Sequence, residues 1–286
     1  MNSLDNEHIS FEKVSYTYPE ADQRALCDIS VTVPRGQYVV LMGSNGAGKT
    51  TFCRLLNGVN PHSTGGMLQG TVRVAGLDTK LHRVAELSQK VGLVLEDPEA
   101  QLFTGSVKSE VVFGAENLGI ERGELADRLQ RSLKAVCLED LMDRVPTALS
   151  GGQKQRLAIA SVIAMYPEIL VLDEPVSQLD PAGCNEVFSV IRELNKKYGL
   201  TIIMAAHQSE EIARFCDRIL VFAQGRIIGD GSPREIFANK KILTEASIRE
   251  PQVTALARYL GKKGIQTQGV PVTIEEMEQY LLELWP

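Results

Sequence analysis

The chain has 286 residues, of which 44% are hydrophobic, and carries a formal net charge of −6 with an isoelectric point near 5.4. This length and hydrophobic content can bury one large α/β core with a small appendage, and they exclude a disordered or fibrous chain. The acidic balance argues against a nucleic-acid partner, because binding to a phosphate backbone depends on clustered Lys and Arg. A nucleotide is therefore a better expectation than a polynucleotide.

The cysteines and the apolar runs indicate the redox compartment of the protein and whether it can span a membrane. The five cysteines are odd in number and form no C-x-x-C pair, which predicts core thiols in a reducing cytoplasm. The first ten residues lack the basic and apolar segments of a signal peptide. Polar residues interrupt every apolar run after a few positions, so none is long enough to cross a bilayer. A role at a membrane would require another chain to hold this one there.

The first third of the chain predicts the start of an α/β core. Alternating polarity predicts strands over residues 9–18 and 29–33, and a continuous apolar run predicts a buried strand over 38–42. A helix follows that strand, and the composition of residues 61–70 indicates a loop. Further strands are predicted over 71–74 and 91–95.

The middle of the chain changes character. Residues 103–145 hold long amphipathic patterns without a strand-like run, which predicts a helical subdomain of about residues 98–148 inserted in the core. The elements predicted after it are a helix over 151–166, a strand over 169–172, a helix over 181–198, a strand over 201–206 and a hairpin-like pair over 219–222 and 226–229. Alternation of this kind predicts a mainly parallel sheet that is covered on both faces.

The last part of the chain predicts a small helical extension to a domain of residues 1–240. Two short helices are expected within residues 241–286, and the second runs to Trp285 from a capping box formed by Thr273 and Glu276. An extension of this size cannot build an independent core. We expect it to dock on the main domain or to serve in dimerisation with a partner.

The glycine-rich stretch GSNGAGKT at residues 43–50 follows the buried strand and precedes a helix. Its spacing fits the phosphate-binding loop G-x-x-x-x-G-K-[ST], in which backbone N–H groups and a helix N-terminus converge on phosphate oxygens. Lys49 would reach the β- and γ-phosphates, and Thr50 would hold Mg²⁺. The predicted nucleotide contacts in this loop are Gly43, Ser44, Asn45, Gly46, Ala47, Gly48, Lys49, Thr50 and Thr51.

Two carboxylates end a second apolar strand. The sequence ILVLDE at residues 169–174 places Asp173 at the carboxyl edge of the sheet, where nucleotides bind in open α/β folds. Asp173 would coordinate Mg²⁺ through water, and Glu174 would orient and polarise the attacking water. An acidic pair that merely caps a strand end is the alternative interpretation, and the presence of Lys49 weakens it.

The most discriminating stretch is LSGGQ at residues 149–153, which leads directly into a helix. It gives the domain a second anion-binding helix N-terminus, and one nucleotide cannot sit at both. With these motifs the sequence resembles the ATP-binding cassette (ABC) family, an ATPase family. In that family the signature motif faces the γ-phosphate bound to the other subunit of a head-to-tail dimer. The signature residues here are Leu149, Ser150, Gly151, Gly152 and Gln153.

The resemblance implies the fold and the remaining site residues. The fold would be an α/β P-loop NTPase of the ABC type, with a mainly parallel sheet, an antiparallel β part, an inserted helical subdomain and a small C-terminal helical extension. Tyr18 matches the aromatic residue that stacks on adenine, and Asp180 matches the key carboxylate of the interface loop. His207 matches the histidine that contacts the γ-phosphate, so the catalytic residues would be Lys49, Glu174 and His207, with Mg²⁺ accompanying the ATP.

Two positions depart from the family pattern. Glu96 stands where glutamine is usual, and it is assigned to both the ATP and the metal contacts. A carboxylate can bind Mg²⁺, but it cannot donate a hydrogen bond to water unless protonated, and it would repel the γ-phosphate. Gln101 belongs to a later position of the pattern and is no replacement by register. Gln208 stands where Asp commonly follows the histidine. These departures predict a functional ATP site with slower or unequal hydrolysis.

A narrower resemblance rests on residues 14–19 (VSYTYP), 97–103 (DPEAQLF) and 271–276 (PVTIEE). These stretches are similar to the ATPase subunits of energy-coupling factor transporters, the group that includes cobalt and nickel importers. The resemblance implies an ATPase peripheral to the cytoplasmic face of the cell membrane, paired with itself or a homologous subunit. It would drive a membrane T component coupled to a substrate-binding membrane component for a vitamin or transition-metal ion.

The acidic residues Glu96, Asp97 and Glu99 add a hypothesis about that partner. In the family this loop and the helical subdomain line the groove that receives coupling helices carrying arginines, with which carboxylates would pair. A solvated acidic loop is the alternative.

Two other functions stay open at this point. One is an ABC ATPase of another transporter type, and the other is a soluble ABC protein acting on DNA or ribosomes. Proteins of the second class typically carry a tandem domain, a coiled-coil insertion or a basic surface. The sequence shows none of these, and it names neither the transported molecule nor the choice between homodimer and heterodimer.

Overall fold

The computed structural model describes residues 7–265 and 269–284. Its strands are β1 (Glu7–Thr17), β2 (Leu26–Pro34), β3 (Tyr38–Met42), β4 (Met67–Val74), β5 (Leu77–Asp78), β6 (Val91–Val94), β7 (Ile169–Asp173), β8 (Thr201–Ala205), β9 (Arg218–Ala223) and β10 (Arg226–Gly231). Its helices are α1 (Lys49–Leu56), α2 (Val59–His62), α3 (Val84–Leu87), α4 (Val107–Asn117), α5 (Arg122–Ala135), α6 (Gly151–Ile163), α7 (Pro181–Tyr198), α8 (Ser209–Phe215), α9 (Pro233–Ala238), α10 (Lys240–Glu245), α11 (Gln252–Lys262) and α12 (Ile274–Leu284).

Two sheets organise these elements. A six-stranded sheet has the order β10-β9-β3-β8-β7-β6, in which β9, β3, β8, β7 and β6 run parallel and β10 pairs antiparallel to β9. A four-stranded antiparallel sheet has the order β2-β1-β4-β5. The predicted fold class is therefore confirmed, including the antiparallel part and the final hairpin. In the larger sheet β3, β7 and β8 are buried along their whole length, as expected for parallel strands covered on both faces.

The hydrophobic core has one layer on each face of the larger sheet. Alternate residues of β3 enter different layers, because successive side chains of a strand point to opposite faces. Val40 packs in a layer with helices α4, α5, α6 and α7. Leu41 packs in a layer with α1 and the antiparallel sheet. Helix α1, which begins at the phosphate loop, therefore lies between the two sheets.

The predicted insertion contains helices and no strand between residues 98 and 148, which the structure describes throughout. Helices α4 and α5 pack on α6, the helix that begins at the LSGGQ motif. Short 3₁₀ turns at Pro98–Ala100, Glu139–Leu141 and Pro146–Ala148 complete the segment. The exact bounds of a subdomain remain a prediction.

Two stretches differ from the expectation. The described part of the C-terminal extension holds three helices, α10, α11 and α12, where two are predicted. Residues 61–70 were expected to form a loop, but β4 begins at Met67 and pairs with β1. Gly66 and Gly70 both have positive φ values, and a Cβ at Gly70 would lie 2.4 Å from the carbonyl oxygens of Glu12 and Lys13. The glycines thus permit an irregular but paired strand, so tertiary pairing overrides the local loop signal.

The C-terminal segment is packed on the main core. Leu243, Ala246 and Val272 are buried and belong to the same apolar layer as the helices of the core. At the start of α12, Thr273 Oγ1 accepts a hydrogen bond from the N–H of Glu276 at 3.3 Å. The Glu276 carboxylate accepts from Val272 N–H at 2.7 Å, so the predicted capping box is shifted by one residue on that side. Trp285 lies outside the described residues.

Within residues 7–265 and 269–284, no helix combines the length and the apolar content needed to cross a bilayer.

Candidate nucleotide site

The phosphate loop takes a shape that requires glycine at two positions. It connects the end of β3 to the start of α1. Gly43 has φ +148°, and a Cβ there would lie 2.3 Å from the carbonyl oxygen of Phe222 on β9. Gly48 has φ +111°, and a Cβ there would lie 2.7 Å from Leu26 Cδ2. Neither the backbone conformation nor the space admits a side chain, so the loop can curl closely against its neighbours.

Lys49 is the first residue of α1, and its side chain is only 4% exposed. The ammonium donates hydrogen bonds to the carbonyl oxygens of Gly43 at 2.9 Å and Ser44 at 3.3 Å. It also lies 3.3 Å from Glu174 Oε1. The buried positive charge is therefore held at the mouth of the loop by one carboxylate and two carbonyl dipoles.

The acidic pair follows β7. Asp173 is buried, and its Oδ1 accepts a hydrogen bond from Thr50 Oγ1 at 3.1 Å. Burial raises the pKa of Asp173, the hydrogen bond from Thr50 opposes this, and the neighbouring negative charges of Glu174 and Glu96 add to the rise. The charged form of Asp173 is therefore under-compensated by the protein alone.

Glu174 has the opposite environment. Its φ of +50° turns the chain sharply after the strand, and its N–H donates to the carbonyl oxygen of Ala205 at 3.0 Å. Glu174 Oε1 lies 2.9 Å from His207 Nε2. The hydrogen bond with His207 lowers the pKa of Glu174 most, and the charge of Lys49 lowers it further. The structure thus brings the three predicted catalytic residues together.

Lys49, Thr50 and Glu174 line a cavity of about 340 Å³, and Asp173 and His207 contact these residues without lining it themselves. Its lining residues are Tyr18, Ala25, Asn45, Gly46, Gly48, Lys49, Thr50, Thr51, Glu96 and Glu174. The Tyr18 hydroxyl is 3.1 Å from Thr51 Oγ1 and accepts from Asn60 Nδ2 at 3.4 Å. Sequence reasoning missed Ala25 and Asn60. Neither has a spacing signal, because the residue before β2 and helix α2 reach the site only in the fold, where Asn60 contacts Tyr18 and does not itself line the cavity.

The loop that follows β6 brings Glu96 to this cavity, and the other polar side chains of the loop bond to groups within the chain. Gln101 Oε1 accepts from Leu95 N–H at 3.2 Å, so its carbonyl group is bound to the backbone beside Glu96. The Asp97 carboxylate accepts from Glu99 N–H at 2.9 Å and caps the 3₁₀ turn. Glu99 forms an ion pair with Lys154 of α6. Asp97 and Glu99 therefore already have partners within the chain.

The signature residues lie away from the cavity lining. Leu149 is buried, and Ser150 caps α6 in a reciprocal box with Gln153, with Ser150 N–H donating to Gln153 Oε1 at 2.9 Å. A Cβ at Gly151 would meet Leu179 Cδ2 at 3.4 Å, and a Cβ at Gly152 would lie 3.7 Å from Gly183 Cα. The motif therefore borders the loop before α7.

Asp180 caps α7 by accepting from Gly183 N–H at 2.7 Å. This contact is local, and the predicted role of Asp180 at a subunit interface remains a prediction.

The donor set fits Mg²⁺. Thr50 and Asp173 place a hydroxyl and a carboxylate oxygen side by side, and oxygen donors are the ligands that Mg²⁺ prefers. The raised pKa of Asp173 marks a buried charge that a cation would relieve. No cluster of three or more His, Cys, Asp or Glu suited to a metal occurs in the part of the chain that the structure describes. Mg²⁺ needs no such cluster, since one or two carboxylates and substrate phosphates commonly suffice.

Comparison with known proteins identifies the family. The family model described as ABC transporter matches residues 26–177. An ABC transporter ATP-binding protein of Pyrococcus abyssi is 46% identical over 92% of this chain and 94% of its own length. The energy-coupling factor transporter ATP-binding protein EcfA1 of Caldanaerobacter subterraneus is 39% identical over 96% of this chain and 98% of its own. The chain belongs to the ATP-binding proteins of the ABC transporter family, and it is an ATPase.

Two solved structures share the fold. CbiO1 of Clostridium perfringens, described as part of the ABC transporter complex cbiONQ, superposes with a TM-score of 0.76 at 32% identity. The match covers 91% of this chain and 99% of CbiO1. The ATP-binding cassette MJ0796, solved as a dimer in a post-hydrolysis state with ADP and phosphate, gives a TM-score of 0.67 at 25% identity. That match covers 79% of this chain and 99% of MJ0796.

Neutralising the two adjacent carboxylates should change stability in opposite directions. Asp173 has a folded pKa above its unfolded value, so its charge destabilises the fold fully above the folded pKa, and this cost declines as pH falls from the folded to the unfolded pKa. Glu174 has a lowered pKa, so its stabilisation is present above its unfolded pKa and is lost as pH falls through its folded pKa. Asp173→Asn should raise the Tm of the ligand-free protein at neutral pH by roughly 2 °C or more, and Glu174→Gln should lower it by a similar amount. Thermal melts across pH measure both, and shifts of the same sign would contradict the assignment.

Restoring an amide at Glu96 should accelerate hydrolysis. An exposed carboxylate at this position would repel a bound γ-phosphate by about 1 kcal/mol, so Glu96→Gln should raise the ATPase rate roughly fivefold. Steady-state phosphate release measures this rate. Glu116→Gln, an exposed change of the same kind on α4, is the matched control and should leave the rate unchanged. Equal rates for Glu96→Gln and the wild type would remove the importance assigned to Glu96.

Proposed function

We propose that this chain is the ATPase subunit of an energy-coupling factor-type importer, working in a head-to-tail dimer. The observation that carries the proposal is the cluster of Lys49, Glu174 and His207 at a nucleotide-sized cavity, with the signature motif outside that cavity. The likeness to EcfA1 and CbiO1 supports the transporter type. The transported molecule would be a vitamin or a transition-metal ion, bound by a separate membrane component.

The residues of the cavity would divide the work of hydrolysis. The loop N–H groups, the start of α1 and Lys49 would hold the phosphates, and the Tyr18 ring would stack on adenine. Thr50 and Asp173 would hold Mg²⁺, with Glu96 near it. Bound Mg²⁺ would neutralise charge on the phosphoryl oxygens.

Glu174 and His207 would act on the water and the γ-phosphate. The low pKa of Glu174 keeps it an acceptor at neutral pH, so it can orient and polarise a water molecule. His207 holds Glu174 by a hydrogen bond at 2.9 Å and would itself contact the γ-phosphate. Both side chains would therefore be fixed before the nucleotide arrives, which lowers the reorganisation needed in the reaction.

A second subunit would complete each site. The N-terminus of α6, with Gly151 and Gly152, carries the partial positive charge that suits a phosphate, yet it lies outside the cavity lining of its own chain. In a head-to-tail pair the signature of one subunit would cover the nucleotide of the other. The dimeric state described for MJ0796 supports this arrangement. The partner would be the same chain or a homologous subunit, and the C-terminal extension would assist pairing or docking.

The membrane partner would dock beside the loop that carries Glu96. Phe103 is 67% exposed and Phe113 is 39% exposed, and their rings meet edge to face with centroids 4.8 Å apart. An exposed aromatic pair is typical of an interaction surface. The T component would contact this pair, while Glu99 would have to leave Lys154 in order to bind an arginine. The subunit would thus be peripheral on the cytoplasmic face of the membrane.

The head-to-tail arrangement predicts a separation of ATP binding from dimer formation. Glu174→Gln should slow hydrolysis by about 100-fold or more and leave an ATP-dependent dimer. Gly151→Asp added to it should abolish the dimer, because the new carboxylate repels the γ-phosphate, while ATP binding in its own chain is kept. Light scattering and fluorescent-nucleotide binding measure the two properties.

Glu174→Gln/Lys49→Ala is the control for that experiment and should lose both properties. A stable ATP-dependent dimer of Glu174→Gln/Gly151→Asp would contradict the shared site.

The docking surface predicts a loss of membrane partners without loss of ATPase chemistry. Phe103→Ser/Phe113→Ser should reduce membrane subunits in an affinity purification from its host by about tenfold, with ATP binding unchanged. Leu81→Ser is the control, since Leu81 is 79% exposed and lies in the turn between β5 and α3, outside this loop and outside α4. Equal recovery with the aromatic variant would refute this surface. Recovery of ribosomes or DNA instead of membrane subunits would refute the transporter function.

A further inference from the structure

His207 depends on its backbone for its position. Its side chain is 41% exposed, so packing alone does not orient the ring. On the N-terminal side, the N–H of Ala206 donates to the carbonyl oxygen of Leu41 at 3.2 Å, which fixes the end of β8 to β3. Among the described residues, the N–H of His207 donates only to the adjacent Gln208 Oε1, at 3.1 Å. The C-terminal side must therefore be held by whatever anchors the start of α8.

Ser209, the first residue of α8, makes a long-range contact there. It is 4% exposed, and its Oγ donates to the carbonyl oxygen of Arg249 at 2.5 Å. The next residue, Glu210, accepts from the N–H of Gln252 at 3.2 Å through Oε1. Both contacts join the first turn of α8 to residues 249–252, the connection between α10 and α11.

That connection is itself anchored. Arg258 of α11 pairs with Glu250 at 2.6 Å and donates to the carbonyl oxygens of Phe237 at 2.7 Å and Ala238 at 2.9 Å, at the end of α9. Residues 249–252 are thus held between α8 and a helix of the core. A segment fixed in this way can hold the start of α8 in place, and the start of α8 in turn fixes the backbone of His207.

We propose that Ser209 is a positioning residue through which the C-terminal extension holds His207 against Glu174. The inference rests on the proposed function, in which His207 and Glu174 act on the γ-phosphate and the attacking water. A shift of residues 249–252 would move the start of α8 and pull His207 away from Glu174. Hydrolysis would then depend on the extension, although none of its described residues lines the cavity.

The test separates positioning from ATP binding. Ser209→Ala should lower kcat roughly three- to tenfold and leave KM for ATP within about twofold, because the phosphate loop is untouched. Ser161→Ala is the matched control: Ser161 of α6 is half-buried, and its hydroxyl donates to the carbonyl oxygen of Ala158 at 2.9 Å. The change removes a hydroxyl-to-carbonyl bond of the same kind outside the extension and α8, and it should leave kcat unchanged.

A second pair of variants gives the same test without emptying a buried position. Glu210→Ala removes the acceptor of the Gln252 N–H and should lower kcat, whereas Glu210→Gln keeps an acceptor oxygen and should retain the wild-type kcat. This pair decides the matter if Ser209→Ala does not fold. Equal losses in Ser161→Ala and Ser209→Ala would overturn the inference, because the effect would then be one of general stability.

His207→Ala in the same assay distinguishes two failures. If His207→Ala is inactive while Ser209→Ala and Glu210→Ala keep the wild-type kcat, the positioning role is wrong and the proposed function stands. If His207→Ala keeps the wild-type kcat, the role of His207 in the proposed function is wrong, and the inference falls with it.

Discussion

The nucleotide pocket is built around one buried positive charge. An ammonium group out of water is costly unless it is paired and hydrogen-bonded, and Lys49 meets that requirement with groups from two strand ends. Gly43 and Ser44 follow β3, whereas Glu174 follows β7. The strand between them is β8, and His207 follows it. Three adjacent parallel strands thus end at one edge, and each contributes one group of the predicted catalytic set, as expected for ligand sites at the carboxyl edge of an open α/β sheet.

Asp173 and Glu174 show how neighbouring carboxylates acquire different tasks. The first is buried and has its pKa raised, which favours a cation beside it. The second meets His207 and Lys49 and has its pKa lowered, which keeps it negative and able to accept a hydrogen bond. Environments that push two pKa values apart are a mark of divided acid, base and ligand roles. Glu174 has a positive φ, which turns the chain after Asp173, so the two adjacent carboxylates lie in different environments.

The predictable part of this protein is the part with fixed spacing. The phosphate loop, the acidic strand end and the buried strands could be predicted because each is a local pattern with one geometric solution. Contacts between distant segments could not, since nothing in the sequence around Ser209 indicates a partner at Arg249, and nothing around Glu99 indicates Lys154. The strand at residues 67–70 was missed for the same reason, because pairing with β1 decides it.

The two sides of the pocket differ in how firmly they are held. The phosphate loop is fixed by buried contacts that leave no room for a Cβ at Gly43. The loop bearing Glu96 is shaped by a capping carboxylate, one side-chain bond to Leu95 and an ion pair whose Glu99 is 68% exposed. An exposed pair of that kind contributes about 1 kcal/mol or less. A change of residue is therefore better tolerated on the Glu96 side than in the phosphate loop, and Glu96 is where the sequence departs from the pattern that its resemblance predicts.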